Sequence, residues 1–519
     1  MMNWTQTLQM LSSYEFKQMW SLTEDKTNLT ENTVEWMHPM ILAAKANSED
    51  NSNWDEAMNG PLKEGYWEAA LKEINILQVK EAWEVVQRQD FMNVLPGTWA
   101  FKCKRFPDGA VQKLKARFCV RGDRHKKDVD YFETFAPVIN WNTVRLMLIL
   151  SQVMGLATKQ VDYTAAFVHT SIEEDVYVQM PRGFAEHGQV LKLKRSLYGL
   201  KQSPRNFFLF LKSKLEAAGF TNQEEIDPCL FLSDKCICPV YVDNTLFYSP
   251  KAEYIEEAIA KLKELGMELE VEDSVAGFLG VHIERNEKDQ SIKLTQSGLT
   301  RRIIEALDVS HNPIKLTPAS HEPLTKDISG DPPDAVFNYS SVVGMLQYLQ
   351  GHSRPDITFA VSQVARFVHS PRRSHELALE RIGQYLRGTV DEGLILRPTG
   401  RFDMDCYVDA DFAGIWPHED KTDPICVKSR TGFVICISDC PVVWASKLQP
   451  DIALSTMESE YTALLTAMKD VIPLRTLFTT LGSSIGLDDN LLTTFRTTVH
   501  EDNFGTLTLA KMEPGQTTP

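Results

Sequence analysis

The sequence predicts a multi-domain α+β protein. Three observations carry this expectation. The chain has 519 residues, more than one core serves, and length alone suggests three or four domains. Its apolar share of 43% and charged share of 24% are ordinary for folded globular chains. Strand-like runs between Pro/Gly turns are interleaved with stretches of helical periodicity, and the order changes after a break at Gly330–Pro333.

Residues 1 to about 60 read as a polar, poorly structured lead, with a loop signal at Asn47-Ser48-Glu49-Asp50-Asn51-Ser52-Asn53. Trp67 to Leu77 predicts an amphipathic helix with Trp67, Ala70, Leu71, Ile74 and Leu77 on one face. The turns Pro96-Gly97 and Pro107-Asp108-Gly109 frame a hairpin of Trp99–Phe106 and Ala110–Arg121. Asn142 to Met154 predicts a helix, and Lys159–Asp162 a strand end followed by a helical turn. Helices are expected around Phe207–Ala218 and over Tyr254–Leu265, on either side of a strand pair through Tyr241–Tyr248. Beyond the break, helices are expected at Val342–Leu349 and Glu376–Leu386, and a strand-rich unit opens near Phe402.

The net charge of −16 argues against bulk electrostatic attraction to nucleic acid, but the charges are unevenly distributed. Between Phe101 and Asp130 there are ten Lys/Arg against four acids, a local +6, and Lys192–Lys214 holds seven Lys/Arg and no acid. Two such segments suit a channel that grips a phosphate backbone; a solvated surface is the alternative for either run. The longest apolar run, Val144 to Met154, is broken by Arg145, Ser151 and Gln152, so no membrane span is expected. The N-terminus shows no secretory signal. The nine cysteines, with Cys236-Ile237-Cys238 too closely spaced for a zinc knuckle, read as reduced thiols of an intracellular protein.

Two acids stand at the ends of apolar segments, Asp162 after Gln160-Val161 and Asp243 after Tyr241-Val242. On the residues alone, Asp243-Asn244 reads either as a two-residue hairpin turn or as part of a site. Two strand-end carboxylates beside basic segments suit a pair of divalent cations, about 3.5–4 Å apart, that clamp a phosphoryl group. Magnesium prefers such oxygen ligands.

A series of motifs adds to this. Lys115-Ala116-Arg117 and Asp130-Tyr131-Phe132-Glu133-Thr134-Phe135-Ala136-Pro137-Val138 come first. Gln160-Val161-Asp162 through Ala166-Phe167, Leu197-Tyr198-Gly199-Leu200-Lys201-Gln202, Tyr241-Val242-Asp243 and Phe278-Leu279-Gly280 follow. In this order they resemble copia-type retrotransposon reverse transcriptase, and the resemblance runs from about Met37 to about Ala510. It implies a right-hand polymerase of fingers, palm and thumb, with Asp162 and Asp243 holding Mg2+ or Mn2+, two ions per active site. Lys115 and Arg117 would neutralise phosphates, and Tyr198, Gly199 and Lys201 would line the incoming nucleotide and template. Gly280 would let the primer backbone approach closely. Phe167 would be an aromatic gate against the ribose 2′-hydroxyl; read as a residue alone, it is equally a core aromatic. The chain departs from the family at Asn244, where the family has a second aspartate. One formal charge is missing beside the metals, which predicts a loss of at least roughly 10–100-fold in activity.

Further on, Gly344-Met345-Leu346-Gln347-Tyr348-Leu349 and Ser353-Arg354-Pro355-Asp356-Ile357 resemble the family's connection, a helical packing unit without chemistry. Asp409 ends an apolar strand, Glu460 lies in the first turn of a helix expected to reach Ile472 before Pro473, and Asp502 follows Phe495–His500. Ser455 and Glu458 have capping-box spacing, which makes Glu458 structural and Glu460 the ligand candidate. Tyr407-Val408-Asp409-Ala410-Asp411, Glu460-Tyr461-Thr462-Ala463 and Glu501-Asp502-Asn503 resemble the family's ribonuclease H motifs. That makes Asp409, Glu460 and Asp502 metal ligands and Asp411 a turn residue. In the family a further segment follows, with a histidine and another acid. Here Lys511–Pro519 reads as a tail, so an α/β ribonuclease H-like domain lacking its last element is expected.

The implied organisation is a lead (1–60), fingers and palm (61–290), a thumb-like region (291–335), a connection (336–400), the ribonuclease H-like domain (401–510) and the tail (511–519). The implied partners are an RNA template, a DNA primer, deoxynucleotides and the RNA–DNA hybrid, with no membrane. The implied location is the cytoplasm or a virus-like particle, with entry to the nucleus. Two functional expectations stand: an RNA-directed DNA polymerase with ribonuclease H, impaired in activity, or an inactive remnant of a retroelement that at most binds nucleic acid.

Overall fold

Aromatic residues organise the first part of the chain. The computed structural model describes residues 51–512 apart from 106–110, 128, 185–187, 273–274, 276, 417, 420 and 488. The lead up to residue 50, the Pro107-Asp108-Gly109 turn and the tail beyond residue 512 lie outside the described residues. β1 (Asn51–Ser52), α1 (Trp54–Asn59) and α2 (Lys63–Val79) come first, then β2 (Trp83–Gln87), β3 (Val94–Leu95), β4 (Gly97–Arg105) and β5 (Val111–Val120). The expected hairpin is β4–β5, and β1 joins it in the order β1-β4-β5. Among the described residues, regular structure is therefore already present from Asn51, ahead of the boundary expected near residue 60. Asn53 and Glu56 form a capping box on α1, and Trp54 packs on Trp99 and Phe101. A single tryptophan anchored by distant rings leaves no periodic signal, which is why composition read this stretch as lead. On α2, Tyr66, Ala70, Ile74 and Leu77 are buried; Leu71, expected on that face, is exposed.

Next come α3 (Trp141–Val153), β6 (Ala157–Tyr163), β7 (Tyr177–Gln179), β8 (Gln189–Leu193) and α4 (Ser203–Ala217). They are followed by β9 (Thr221–Asn222), β10 (Leu230–Leu232), β11 (Ile237–Tyr241), β12 (Asn244–Ser249), α5 (Ala252–Glu264) and β13 (Leu269–Glu272). One sheet has the order β13-β6-β12-β11-β10-β9, and another has β2-β8-β7-β3. Every residue of α3 from Thr143 to Ser151 is buried, so this helix is enclosed all round rather than on one face.

β14 (Gly277–Phe278), β15 (Val281–Asn286) and β16 (Ser291–Thr295) lead into α6 (Ser297–Ala306), α7 (Tyr339–His352), α8 (Thr358–Ala365), α9 (Arg373–Gly388) and β17 (Leu394–Leu396). β15 and β16 form a hairpin, so the boundary expected at residue 290 cuts a paired unit. Ile303 and Leu307 share a core with Val342, Leu346, Val361, Leu379 and Leu386, so the boundary at 335 also divides residues that pack together.

The last unit holds β18 (Asp403–Ala410), β19 (Arg430–Ile437), β20 (Cys440–Leu448), α10 (Thr456–Ser484), α11 (Asp489–Thr494), β21 (Arg496–His500) and α12 (Phe504–Ala510). Its sheet order is β20-β19-β18-β21, with β18 and β21 parallel and the other pairs antiparallel. α10 does not stop before Pro473 as expected; it runs through the proline to Ser484. Val471, Leu474, Leu477 and Phe478 are buried around it, and that packing outweighs the missing hydrogen bond, a loss of about 3 kcal/mol. One apolar cluster continues from α3 through the β14–β17 sheet into this unit. Arg145 of α3 reinforces the joint. Its Nε donates to the Val442 carbonyl (2.7 Å), its Nη1 to the Gly351 carbonyl (2.9 Å), and its guanidinium lies 4.3 Å from the Trp444 ring centre.

Candidate active sites

The first carboxylate pair is built by strand register. Asp162 on β6 pairs with Asn244 on β12 and with Glu270 on β13. Directly paired residues project to the same face of a sheet, so Asp162 stands between an amide and a carboxylate. Tyr241 pairs with Asn244, so the β11–β12 turn consists of Val242 and Asp243. That moves the turn one residue back from Asp243-Asn244, and Asn244 is the first residue of a strand. Val242 has φ +48°, a β-branched residue in the left-handed region. Such strain, about 1–3 kcal/mol, persists where the surroundings over-determine it. The Asp243 carbonyl accepts from the Tyr163 amide at 3.1 Å, which fixes the turn over β6.

Partial desolvation and the neighbouring Asp243 charge raise the Asp162 pKa, while Lys115 and Arg117 oppose the shift. Burial raises Asp243, again opposed by Arg117 and Lys115. The four groups thus share one electrostatic site. Asn244 Oδ1 accepts from Gln160 Nε2 at 3.4 Å, and its Nδ2 donates to Asp243 Oδ1 at 3.5 Å. It presents a hydrogen-bond donor to Asp243 where an aspartate would present charge.

The other predicted residues group around this pair. The Arg117 guanidinium lies 4.3 Å from the Tyr198 ring centre, and Tyr198 meets Phe167 edge-on at 4.7 Å. Phe167 is buried and also packs against Phe207, which gives it the core position weighed from the sequence. The two basic segments join where the Val120 amide donates to the Tyr198 carbonyl at 2.8 Å. Gly199 follows with φ +90°, and a Cβ there would lie 2.0 Å from the Val120 carbonyl oxygen. Its glycine therefore serves packing between the basic segments. Lys201 Nζ lies 3.5 Å from the Tyr131 hydroxyl. Gly280, φ +72°, makes the two-residue turn between β14 and β15 with Leu279. Glu270 was not singled out from sequence; only the β6–β13 register reveals it.

The second cluster lies where β18 and β21 run in parallel. Asp409 on β18, Glu460 on α10 and Asp502 just past β21 offer ligand atoms all within 4.8 Å of one another. Asp409 and Asp502 are exposed, whereas Glu460 is only 8% exposed. Burial, then the charges of Glu501 and Asp409, push the Glu460 pKa up to about 7. Ser455 Oγ accepts from the Glu458 amide (3.2 Å), and Glu458 accepts from the Leu454 amide (2.7 Å) rather than from the Ser455 amide, so Glu458 braces the helix start without completing the expected capping box. Asp411 Oδ1 accepts from the Arg430 amide at 2.6 Å, a structural bond.

A cleft of about 1040 Å3 opens over this cluster, bounded on the far side by Asp356 and Phe359. Sequence reasoning assigned nothing to its other residues. His500 Nε2 pairs with Asp405 Oδ1 at 2.7 Å, and its ring stacks on Tyr407 at 4.4 Å. The period-2 alternation Asp405, Tyr407, Asp409 on β18 was the available signal.

Two carboxylates on an antiparallel sheet facing Lys115 and Arg117 suit phosphoryl transfer, and residues 80–321 match the family described as reverse transcriptase (RNA-dependent DNA polymerase). These residues carry a reverse transcriptase domain of the copia-type retrotransposon Pol kind. The chain is 31% identical over 444 residues to the retrovirus-related Pol polyprotein from transposon TNT 1-94 of Nicotiana tabacum, covering 82% of this chain and 32% of that protein. It is 30% identical over 434 residues to the corresponding polyprotein from transposon RE1 of Arabidopsis thaliana, covering 81% and 28%. The chain thus spans about a third of the length of these curated relatives. The solved foamy viral protease-reverse transcriptase in complex with double-stranded DNA is a more distant likeness. It has a TM-score of 0.44 at 13% identity, covering 86% of this chain and 64% of that one.

Proposed function

We propose that this chain is the polymerase and ribonuclease H part of a copia-type Pol polyprotein, with polymerase activity lowered by Asn244. In this reading it copies an RNA template from a DNA primer and cuts the RNA strand of the resulting hybrid. The observation that carries the polymerase reading is the convergence of Asp162 on β6 and Asp243 in the β11–β12 turn with Lys115 and Arg117 of β5. The second activity rests on the sheet order β20-β19-β18-β21 and on three acids brought together from two parallel strands and one helix. That topology supports a ribonuclease H-like α/β domain.

The donor sets fit hard divalent cations, Mg2+ or Mn2+, which take oxygen ligands. Asp162 and Asp243 would hold them at the first site, and Asp409, Glu460 and Asp502 at the second. Bound ions there supply charge stabilisation to an in-line phosphoryl displacement. Lys115 and Arg117 would hold nucleotide phosphates, with Tyr198 supporting the Arg117 plane. Lys201 would face the template, and the Gly280 turn would face the primer. Asn244 fits the first site less well than an acid, since it adds no charge. An intracellular place of action accords with the low cysteine content, nine in the chain, seven of them buried.

Primer extension on an RNA template tests this reading. Asn244→Asp should extend at least about tenfold faster than the parent chain, and Asp162→Asn should abolish extension. Equal rates for the parent and Asn244→Asp overturn the impairment. The same residue favours a second reading, a chain that binds hybrid duplex without catalysis. That reading predicts no extension by either variant, together with duplex affinity that falls steeply with salt.

A further inference from the structure

Glu501 lies beside the second cluster and has no role in the reading above. Its Oε1 is pinned by the Asn503 amide, which donates at 3.0 Å. Asn503 is itself fixed as the cap of α12, its Oδ1 accepting from the Thr506 amide at 3.0 Å. The other oxygen, Oε2, is enclosed and has no hydrogen-bond partner. Glu460, more than nine-tenths buried, has an enclosed and unpartnered Oε2 as well. Orphaned carboxylate oxygens such as these two are costly unless a cation or a donor meets them.

We infer that Glu501 is a fourth carboxylate of the divalent-cation site, acting with Glu460 on the buried side of the ions that Asp409 and Asp502 hold from the exposed side. The inference rests on the metal-site reading proposed above and extends it by one residue. Several features agree with it. Glu501 immediately precedes Asp502 in the stretch just past β21. Its backbone-anchored oxygen means that little side-chain freedom is lost on binding. Asp409, Glu501 and Asp502 all line the same cleft.

Mn2+ titration of the full chain by calorimetry tests this. Asp162→Asn and Asp243→Asn are included so that the first site takes no ion. Glu501→Gln should weaken Mn2+ binding at least about tenfold. Its melting temperature in EDTA should stay at or above that of the parent, because a charge facing Glu460 is removed. Binding by Glu501→Gln at the parental affinity overturns the inference. Asp409→Asn separates the two levels: if it too binds like the parent, the metal-site reading itself fails. If only Glu501→Gln is unaffected, the ions are held by three carboxylates. Glu501→Ala, which buries no amide, repeats the measurement should the glutamine variant melt early, and the same affinity criterion decides.

Discussion

Asn244 changes the chemistry of its neighbours without changing the fold around them. Its amide takes hydrogen bonds with Gln160 and Asp243, so an aspartate fits the same space but repels Asp243 until a cation arrives. Asn244→Asp should therefore melt lower than the parent in EDTA and recover with Mn2+, a linkage seen by thermal scans with and without the ion. His352 offers a pH readout at the same scale. Its ring packs edge-on against Trp141 at 4.7 Å, and burial pushes its pKa down to about 4. Above pH 6.5 it is neutral in both folded and unfolded chains. Between 6.5 and 4 the unfolded chain binds a proton that the folded chain refuses, so stability should fall as pH drops through that window. His352→Phe should flatten this dependence in denaturant titrations; an unchanged slope would show that the ring is not the source.

At the scale of elements, the sequence was legible wherever a pattern was local. The β4–β5 hairpin, α3, α4, α5, α7 and α9 follow from turn residues and periodicity. The β11–β12 turn was misplaced by one residue because Asn favours turns intrinsically, whereas the pairing with Asp162 decides its position. The length of α10 was missed because a proline's cost is local and its compensation is not. Gly199 shows the same limit. The resemblance implied a nucleotide contact; its φ of +90° and the 2.0 Å approach of a Cβ to the Val120 carbonyl add a joining role that no local pattern shows. Gly199→Ala should destabilise the chain by about 2–4 kcal/mol, through backbone strain and a clash with backbone that cannot yield. A denaturant midpoint close to the parent's would refute this.

For the whole molecule, the units read separately from sequence prove to share cores. Arg145 and Val442 are 297 positions apart, and no window of sequence joins them. Of the second site, the three candidate ligands were legible from motifs, while the His500–Tyr407 pairing is set by the parallel β18–β21 register and Glu501 stood out only by its enclosed, unpartnered oxygen. Arg145→Met keeps apolar volume but strips two carbonyls of a charged donor, which should cost about 2–3 kcal/mol. It should also speed amide hydrogen exchange in β20 and α3 together, whereas exchange confined to α3 would mean the joint holds without it.

That joint has a geometric consequence. Under the proposed function the joint would act as a ruler: a duplex threaded past both sites would meet them at a separation set by Arg145 and its partners, and the fragments left by one would be phased to the position of the other. Softening the link at Arg145 would leave each centre intact and blur the lengths they produce.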